Sequence, residues 1–411
     1  MIQKSLIFFL SGLFFTVCPV YANVLQDAID RTAPYATITL AAGTYRGNIS
    51  IDKPLTLRGK EPGVIIQGDK QGNVISITGS QVTLDNLIVT DSGTRMTTLD
   101  AAITMKQADH CHVTKCTIRN SLYGINMQSV RDSNITYNFI TSNGNPVPLR
   151  GNALKVWNSS RIEIRNNTVE KSRDITLAFS QEILFSGNSI SQSRHGLAIE
   201  RSRRTTIENN HFAYNATGIM LEASQETNIS DNEILSCRGV AGIAVVIQGG
   251  GSVRFIHNKV SFNAKAFYID TKGHEKGMKR YFRNNTISYN KEAFHFHSTI
   301  RNNTMTGNRI FGNIDDVVKD IKGTGNGENR IAYNYWDRYE GFDKNGDNIG
   351  DTPYRIYQYA DRLWQYNNKI KFFYASPVMS LMNFIAQLAP FIEPNLLLED
   401  TKPIVHMKKR F

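Results

Sequence analysis

The chain has 411 residues, a formal net charge of +11, 41% hydrophobic and 10% aromatic residues, and four cysteines. The apolar fraction is ordinary for a folded chain, and the basic balance suits an acidic partner or an anionic membrane surface. It does not argue for nucleic acid, which an exported chain rarely meets.

Residues 1–22 read as a secretory signal peptide. Lys4 is the only charge, Ser5 to Val17 is an apolar run too short to span a bilayer, and Val20-Tyr21-Ala22 places small residues at the cleavage positions. Cleavage near Ala22 exports the chain and leaves a charge of +10. Val17 before Cys18 argues against a lipoprotein site. Cys111, Cys116 and Cys237 remain, an odd number that excludes a complete intrachain disulfide framework.

Asp27 to Arg31 reads as a short helix covering an open end, and Ile38–Tyr45 and Leu55–Gly59 as the first strand-bearing coils. Beyond residue 80 a signature recurs, an Asn followed by two residues ending in an apolar one: Asn86, Asn138, Asn167, Asn188, Asn210, Asn232, Asn258, Asn285 and Asn308. From Asn167 to Asn232 the gaps are 21, 22 and 22 residues, the period of a solenoid. The expected fold is all-β, a right-handed parallel β-helix of the pectin-lyase-like kind over 23–330, with asparagines stacked along one internal edge. Asn suits a tight bend because it adopts left-handed backbone cheaply, and stacked amides can bond in a ladder.

A second signature, Gly124-Ile-Asn-Met, Ala153-Leu-Lys-Val, Gly196-Leu-Ala-Ile and Gly218-Ile-Met-Leu, alternates with period two. It turns Ile125, Met127, Leu154, Val156, Leu197 and Ile199 inward. The predicted outward row is Thr104 and Lys106, Asn126 and Gln128, Lys155 and Trp157, Thr176 and Ala178, Ala198 and Glu200. It continues through Met220 and Glu222, Ala244 and Val246, Tyr268 and Asp270, to His295 and His297.

On that row Glu200, Glu222 and Asp270 are the best carboxylates for a carbohydrate-active lyase or epimerase, but no Lys or Arg of the row lies in their coils. His110-Cys111-His112 with Cys116 looks like a metal cluster. The register instead puts Cys116 at a ladder position, Cys111 opposite an inward Ser133, and both imidazoles outside. Soft and imidazole donors that suit transient Cu(I) are Met220, His274, Met278, His295, His297, Met379 and Met382, with His406 and Met407 near the terminus.

Asp343-Lys-Asn345-Gly-Asp347-Asn-Ile349-Gly-Asp351 has the donor spacing of a calcium-type loop, with a backbone carbonyl available from Ile349. The alternative is an Asx-turn cluster needing no Ca²⁺. This loop marks residues 331–374 as a C-terminal cap. Residues 375–411 hold a short apolar helix between Pro377 and Pro390 and a basic tail, in which Leu381, Phe384, Ile385 and Leu388 are candidates for docking on a partner.

The segment from Asn334-Tyr-Trp-Asp through Asp351-Thr-Pro-Tyr354 resembles the hallmark of the NosD family, and the coils, asparagine repeats and Pro-bounded apolar helix extend the resemblance over the mature chain. Asn348 departs from it, since relatives more often carry Gly there. The resemblance implies a periplasmic accessory protein, not an enzyme. It would work with an ABC transporter ATPase and permease, take part in copper delivery from a lipoprotein chaperone, and help assemble the copper-sulfide centre of nitrous-oxide reductase. It also implies that the apolar segment Met379–Leu388 docks on the permease.

Overall fold

A computed structural model of the chain describes residues 24–239, 242–297, 299–320, 327–358, 376–388 and 395–407. The segment read as a signal peptide, with Cys18, lies outside the described residues.

Each coil contributes three short strands, and stacking the coils makes three parallel sheets of a right-handed β-helix. Sheet A has 13 strands from Thr37–Leu40 to Arg330–Ala332, and sheet B has 13 from Gly43–Arg46 to Tyr335–Trp336. Sheet C has 12, from Ile49–Ile51 to Asp315–Lys319. Parallel stacking keeps like residues over like. On the inner face of sheet A, Ile135, Ile164, Phe185, Ile207, Ile229, Phe255, Phe282 and Met305 follow one another in register, all buried. Phe255 and Phe282 stack with ring centroids 5.4 Å apart. All six residues that alternation turned inward are buried.

The corners carry the polar order. Between sheets A and B, Asn138, Asn167, Asn188, Asn210, Asn232, Asn258, Asn285, Asn308 and Asn334 are at most 2% exposed. Each donates both its backbone N–H and its amide to the next side-chain oxygen, as Asn167 does to Asn188 Oδ1 at 2.9 and 3.0 Å, and its amide also reaches a carbonyl such as Ile135 O at 2.8 Å. Every buried amide is thereby satisfied.

The backbone reason given for these asparagines does not hold. Positive φ falls on the residue before each ladder Asn, including Tyr137, Asn166, Asn209 and Asn284. Asn86 is one of these corner residues, with φ 58°, and Leu87 holds its coil's buried ladder position. Cys116 holds the next, as its register predicts, donating its N–H to Asn138 Oδ1 at 2.9 Å.

Nor is the polar edge single. Between sheets B and C, Asn263, Asn290 and Asn313 form a second ladder, entered from Cys237. Between C and A, Ser159, Ser180, Ser202 and Ser224 form a third, each hydroxyl accepting the N–H of the coil before.

Both ends are covered. Helix α1, Val24–Arg31, buries Leu25 and Ile29 against the first coil. At the other end the final coil runs on to Trp336, past the predicted boundary at 330. The segment after the apolar helix is not simply a tail: Asn395–Asp400 pairs antiparallel with Tyr354–Gln358 and buries Leu397 and Leu398.

Candidate functional site

The outer face of sheet C presents two columns of side chains. Ladder pairing confirms the predicted order from Thr104 and Lys106 through Met220 and Glu222. The next pair is Val246 and Gln248, not Ala244 and Val246. Ala244 is buried, level with the small residue Gly218 of the coil before, because four extra residues in this coil move the outward pair along the chain. Tyr268 and Asp270 follow, then His295 and His297.

At that end the face holds a network that the sequence reading half assembled. His295 Nδ1 lies 2.6 Å from Glu292 Oε2 and 2.9 Å from Lys265 Nζ, and Lys265 is itself ion-paired to Glu292. His295 Nε2 is 3.2 Å from Asp320 Oδ2, near enough for charge attraction but not aligned as a hydrogen bond. His297 Nδ1 meets the two oxygens of the same carboxylate at 3.0 and 3.1 Å. Tyr268 stacks on His295 and leans over His297, with ring centroids 5.2 and 5.7 Å away.

Burial and charge compete here. Burial disfavours the imidazolium of His295, but Asp320 and Glu292 outweigh it and raise the pKa. Burial likewise opposes ionised Asp320, yet His295 and then His297 hold it down at about 2. Burial also opposes ionised Glu292, which His295 and Lys265 keep below its ordinary range. The ring of His297 is half-buried, and in the tautomer that donates Nδ1–H to Asp320 its Nε2 carries a lone pair.

Lys265, Glu292 and Asp320 were missed, although spacing could have found them. Lys265 and Glu292 each stand three residues before the aromatic of their own strand and pair across the coils. Continuing the column one coil past His295 reaches Val318, and two residues on lies Asp320. Lys265 lies on the strand of Asp270 but outside the predicted row, and its ion-pair partner is Glu292. Lys155, on the same face, also draws Glu200 toward ionisation, against burial and the neighbouring Glu222, which together raise its pKa.

The remaining candidates are dispersed. Met220 is three strands from His295 along one column, about 14 Å at the spacing of paired strands. Met278 is no surface ligand, being 4% exposed with its sulfur against Arg280. The side chains of His274, Met379 and Leu388 lie outside the described residues. Cys111 and Cys116 are buried free thiols, Cys111 donating its N–H to Ser133 Oγ, while His110 is exposed and His112 half-buried on the outside.

The Asp/Asn loop is closed by its own backbone. Asp343 accepts N–H groups from Gly346, Asp347 and Asn348, Asn345 accepts from Asp347, Asp347 from Ile349, and Asp351 from Lys344. These are Asx-turn contacts. Among the described residues no group of three His, Cys, Asp or Glu is arranged to hold a metal ion. Asn348 adopts φ 68° and exchanges two hydrogen bonds with the His406 backbone, so the position that departs from Gly ties the loop to the chain terminus.

Helix α2, Pro377–Leu388, turns Val378, Leu381, Met382, Phe384 and Ile385 to solvent. It is too short to cross a membrane, and no described helix is long and apolar enough to do so.

Residues 140–341 match the model of a family described as periplasmic copper-binding protein (NosD), and residues 73–181 match one described as right handed beta helix region. A protein of Stutzerimonas stutzeri named probable ABC transporter binding protein NosD is 24% identical over 397 residues, 90% of this chain and 86% of that one. Its Pseudomonas aeruginosa namesake is 24% identical over 402 residues, 90% and 88% of the two chains. Among solved structures, the periplasmic alginate epimerase AlgG superposes with a TM-score of 0.53 at 11% identity, over 76% of this chain and 88% of that one. The A-module of Azotobacter vinelandii mannuronan C-5 epimerase AlgE6 gives 0.51 at 12%, over 76% and 94%. At such identities the likeness is one of fold.

Proposed function

Because the chain belongs to the NosD family, we propose that it is a periplasmic accessory protein that helps build the copper-sulfide centre of nitrous-oxide reductase, working with the ATPase and permease of an ABC transporter. A lipoprotein chaperone would supply the copper, which is cargo here and not a resident cofactor. The observation that carries the reading is α2, where five large apolar side chains face solvent on a helix that cannot span a bilayer. Such a patch suits a protein partner at the membrane, and the names of the curated relatives support a transporter.

His297 supports a passing role for copper. Metal-binding imidazoles characteristically give their second nitrogen to a carboxylate, and His297 Nδ1 stands 3.0 Å from Asp320 Oδ1. One presented imidazole suits handover, with the other ligands coming from the donor and acceptor proteins. The test is to delete the gene in its host and purify the reductase. An exported, folded reductase lacking the copper-sulfide centre supports the proposal, and a fully loaded, active one sinks it.

A second reading is a uronate-polymer lyase or epimerase, favoured by Lys265, Tyr268 and His297 clustering on the face that carries Glu200, Glu222 and Asp270. Assays of the purified protein on polyuronates separate it from the first.

A further inference from the structure

The corner between sheets C and A differs from the other two. It bends twice, because residues three apart both take positive φ: Phe179 with Glu182 at 52° and 57°, and Arg201 with Arg204 at 45° and 50°. The ladder serine between them turns inward, and the double bend leaves a trough along the helix axis. The trough is a groove of about 860 Å³ crossing the coils from Gln107 to Gln225, with Ser159, Ser180 and Ser202 in its floor.

Its walls carry few apolar groups and several side chains that the fold does not require. Phe179 is 49% exposed and holds left-handed backbone, an uncommon combination for a bulky residue. Arg201 lies over its ring, with the guanidinium carbon 5.6 Å from the centroid. Arg203 stands on the opposite lip of the same coil and donates to the neutral amide of Gln181 at 2.8 Å. Neither arginine has a carboxylate within ion-pair distance among the described residues, whereas Arg131 in the same groove is neutralised by Asp109 at 2.8 Å. The amides of Asn158 and Gln181 add donors and acceptors along the trough.

We propose that this groove binds an extended acidic glycan, a hydroxyl-rich polymer bearing carboxylates, at a site separate from the histidine network of sheet C. Side-chain amides match sugar hydroxyls, the exposed Phe179 ring matches the apolar face of a pyranose, and two guanidinium groups with no carboxylate partner match carboxylates in paired hydrogen bonds. Coils stacked at about 4.8 Å spread these contacts along the groove, which an extended polymer can span and a small anion cannot.

The test is isothermal titration of the full-length mature chain at low salt with oligouronate hexamers, soluble peptidoglycan strands, neutral malto-oligosaccharides and poly-glutamate. Binding of either acidic glycan, with at least tenfold loss in R201Q/R203Q and in F179A, is expected, and the tighter of the two names the source. The doubly charge-reduced control R254Q/R283Q, on the outer face of sheet A, keeps its affinity. No binding of acidic glycans at millimolar concentration, equal loss in the control, or tighter binding of poly-glutamate overturns the proposal. Copper loading of the reductase is read separately, so failure here leaves the assembly role standing.

Discussion

Asn334 donates its backbone N–H and its side-chain amide to one oxygen of Asp400, at 3.2 and 2.9 Å, and Trp336 Nε1 joins the same oxygen at 3.0 Å. The asparagine ladder is directional, each member donating to the next, and it ends on a side chain whose two oxygens both accept. Asp400 Oδ1 takes the N–H of Lys402 at 3.1 Å, so an amide here would set its own N–H groups against a donor on one side or the other. Asp400 is fully buried, and three donors converge on it from the last coil of the helix. The C-terminal strand is thus attached to the solenoid by the logic of the ladder.

D400N would aim amide protons at donors or leave them unpaired, at a cost of about 1–3 kcal/mol. The expected result is a clear drop in the melting temperature. E399Q, which alters an exposed ion pair to Arg355, should leave the melting temperature close to that of the parent. Thermal unfolding of the two variants side by side is the check.

Two adjacent asparagines separate hydrogen bonding from backbone conformation. Asn210 receives two bonds from Asn188 and gives two, to Phe185 O and Asn232 Oδ1. N210A strands these buried groups and should cost at least about 3 kcal/mol. Asn209 merely holds φ 54° at the corner, where glycine is equally at ease, so N209G should stay within about 1 kcal/mol. Equal losses in urea unfolding would refute this division of labour.

The three thiols described in the fold should be inert. Burial pushes Cys116 and Cys237 up to about 12 and raises Cys111 as well, so almost no thiolate exists at neutral pH. Ellman's reagent should find none of them in the native mature protein and all three in guanidinium. Rapid native reaction would mean that the coils open.

What the sequence made legible was whatever repeats. Asn167, Asn188, Asn210 and Asn232 recur at a nearly fixed interval, so coil, register and the buried place of Cys116 could all be counted out. The count failed at Ala244, where four extra residues in the coil moved the outward pair along the chain, and at Asn86, which carries the ladder residue type one position early. Lys265, Glu292 and Asp320 were hidden for another reason. Each belongs to a single coil, and only stacking at the strand spacing brings them around His295. The serine ladder was equally faint, because serine is common and its inward direction depends on two bends that no single residue type announces.

The His295 network sets a pH window for that end of the helix. Asp320 is held at about 2, below its ordinary 3.8, so its contribution to stability is present above the ordinary value and is lost as pH falls through the lower one. His295 is raised above 6.5, so its contribution is complete below that value and is lost as pH rises through the raised one. The two together make the network strongest in mildly acidic solution. NMR titration of the imidazole carbons should show His295 changing charge above 6.5, and D320N should move that midpoint down by removing an anion from its Nε2 side. The same substitution frees Nδ1 of His297 from its carboxylate, which should weaken any copper held at Nε2. A His295 midpoint unmoved by D320N would show that Glu292 alone sets its charge.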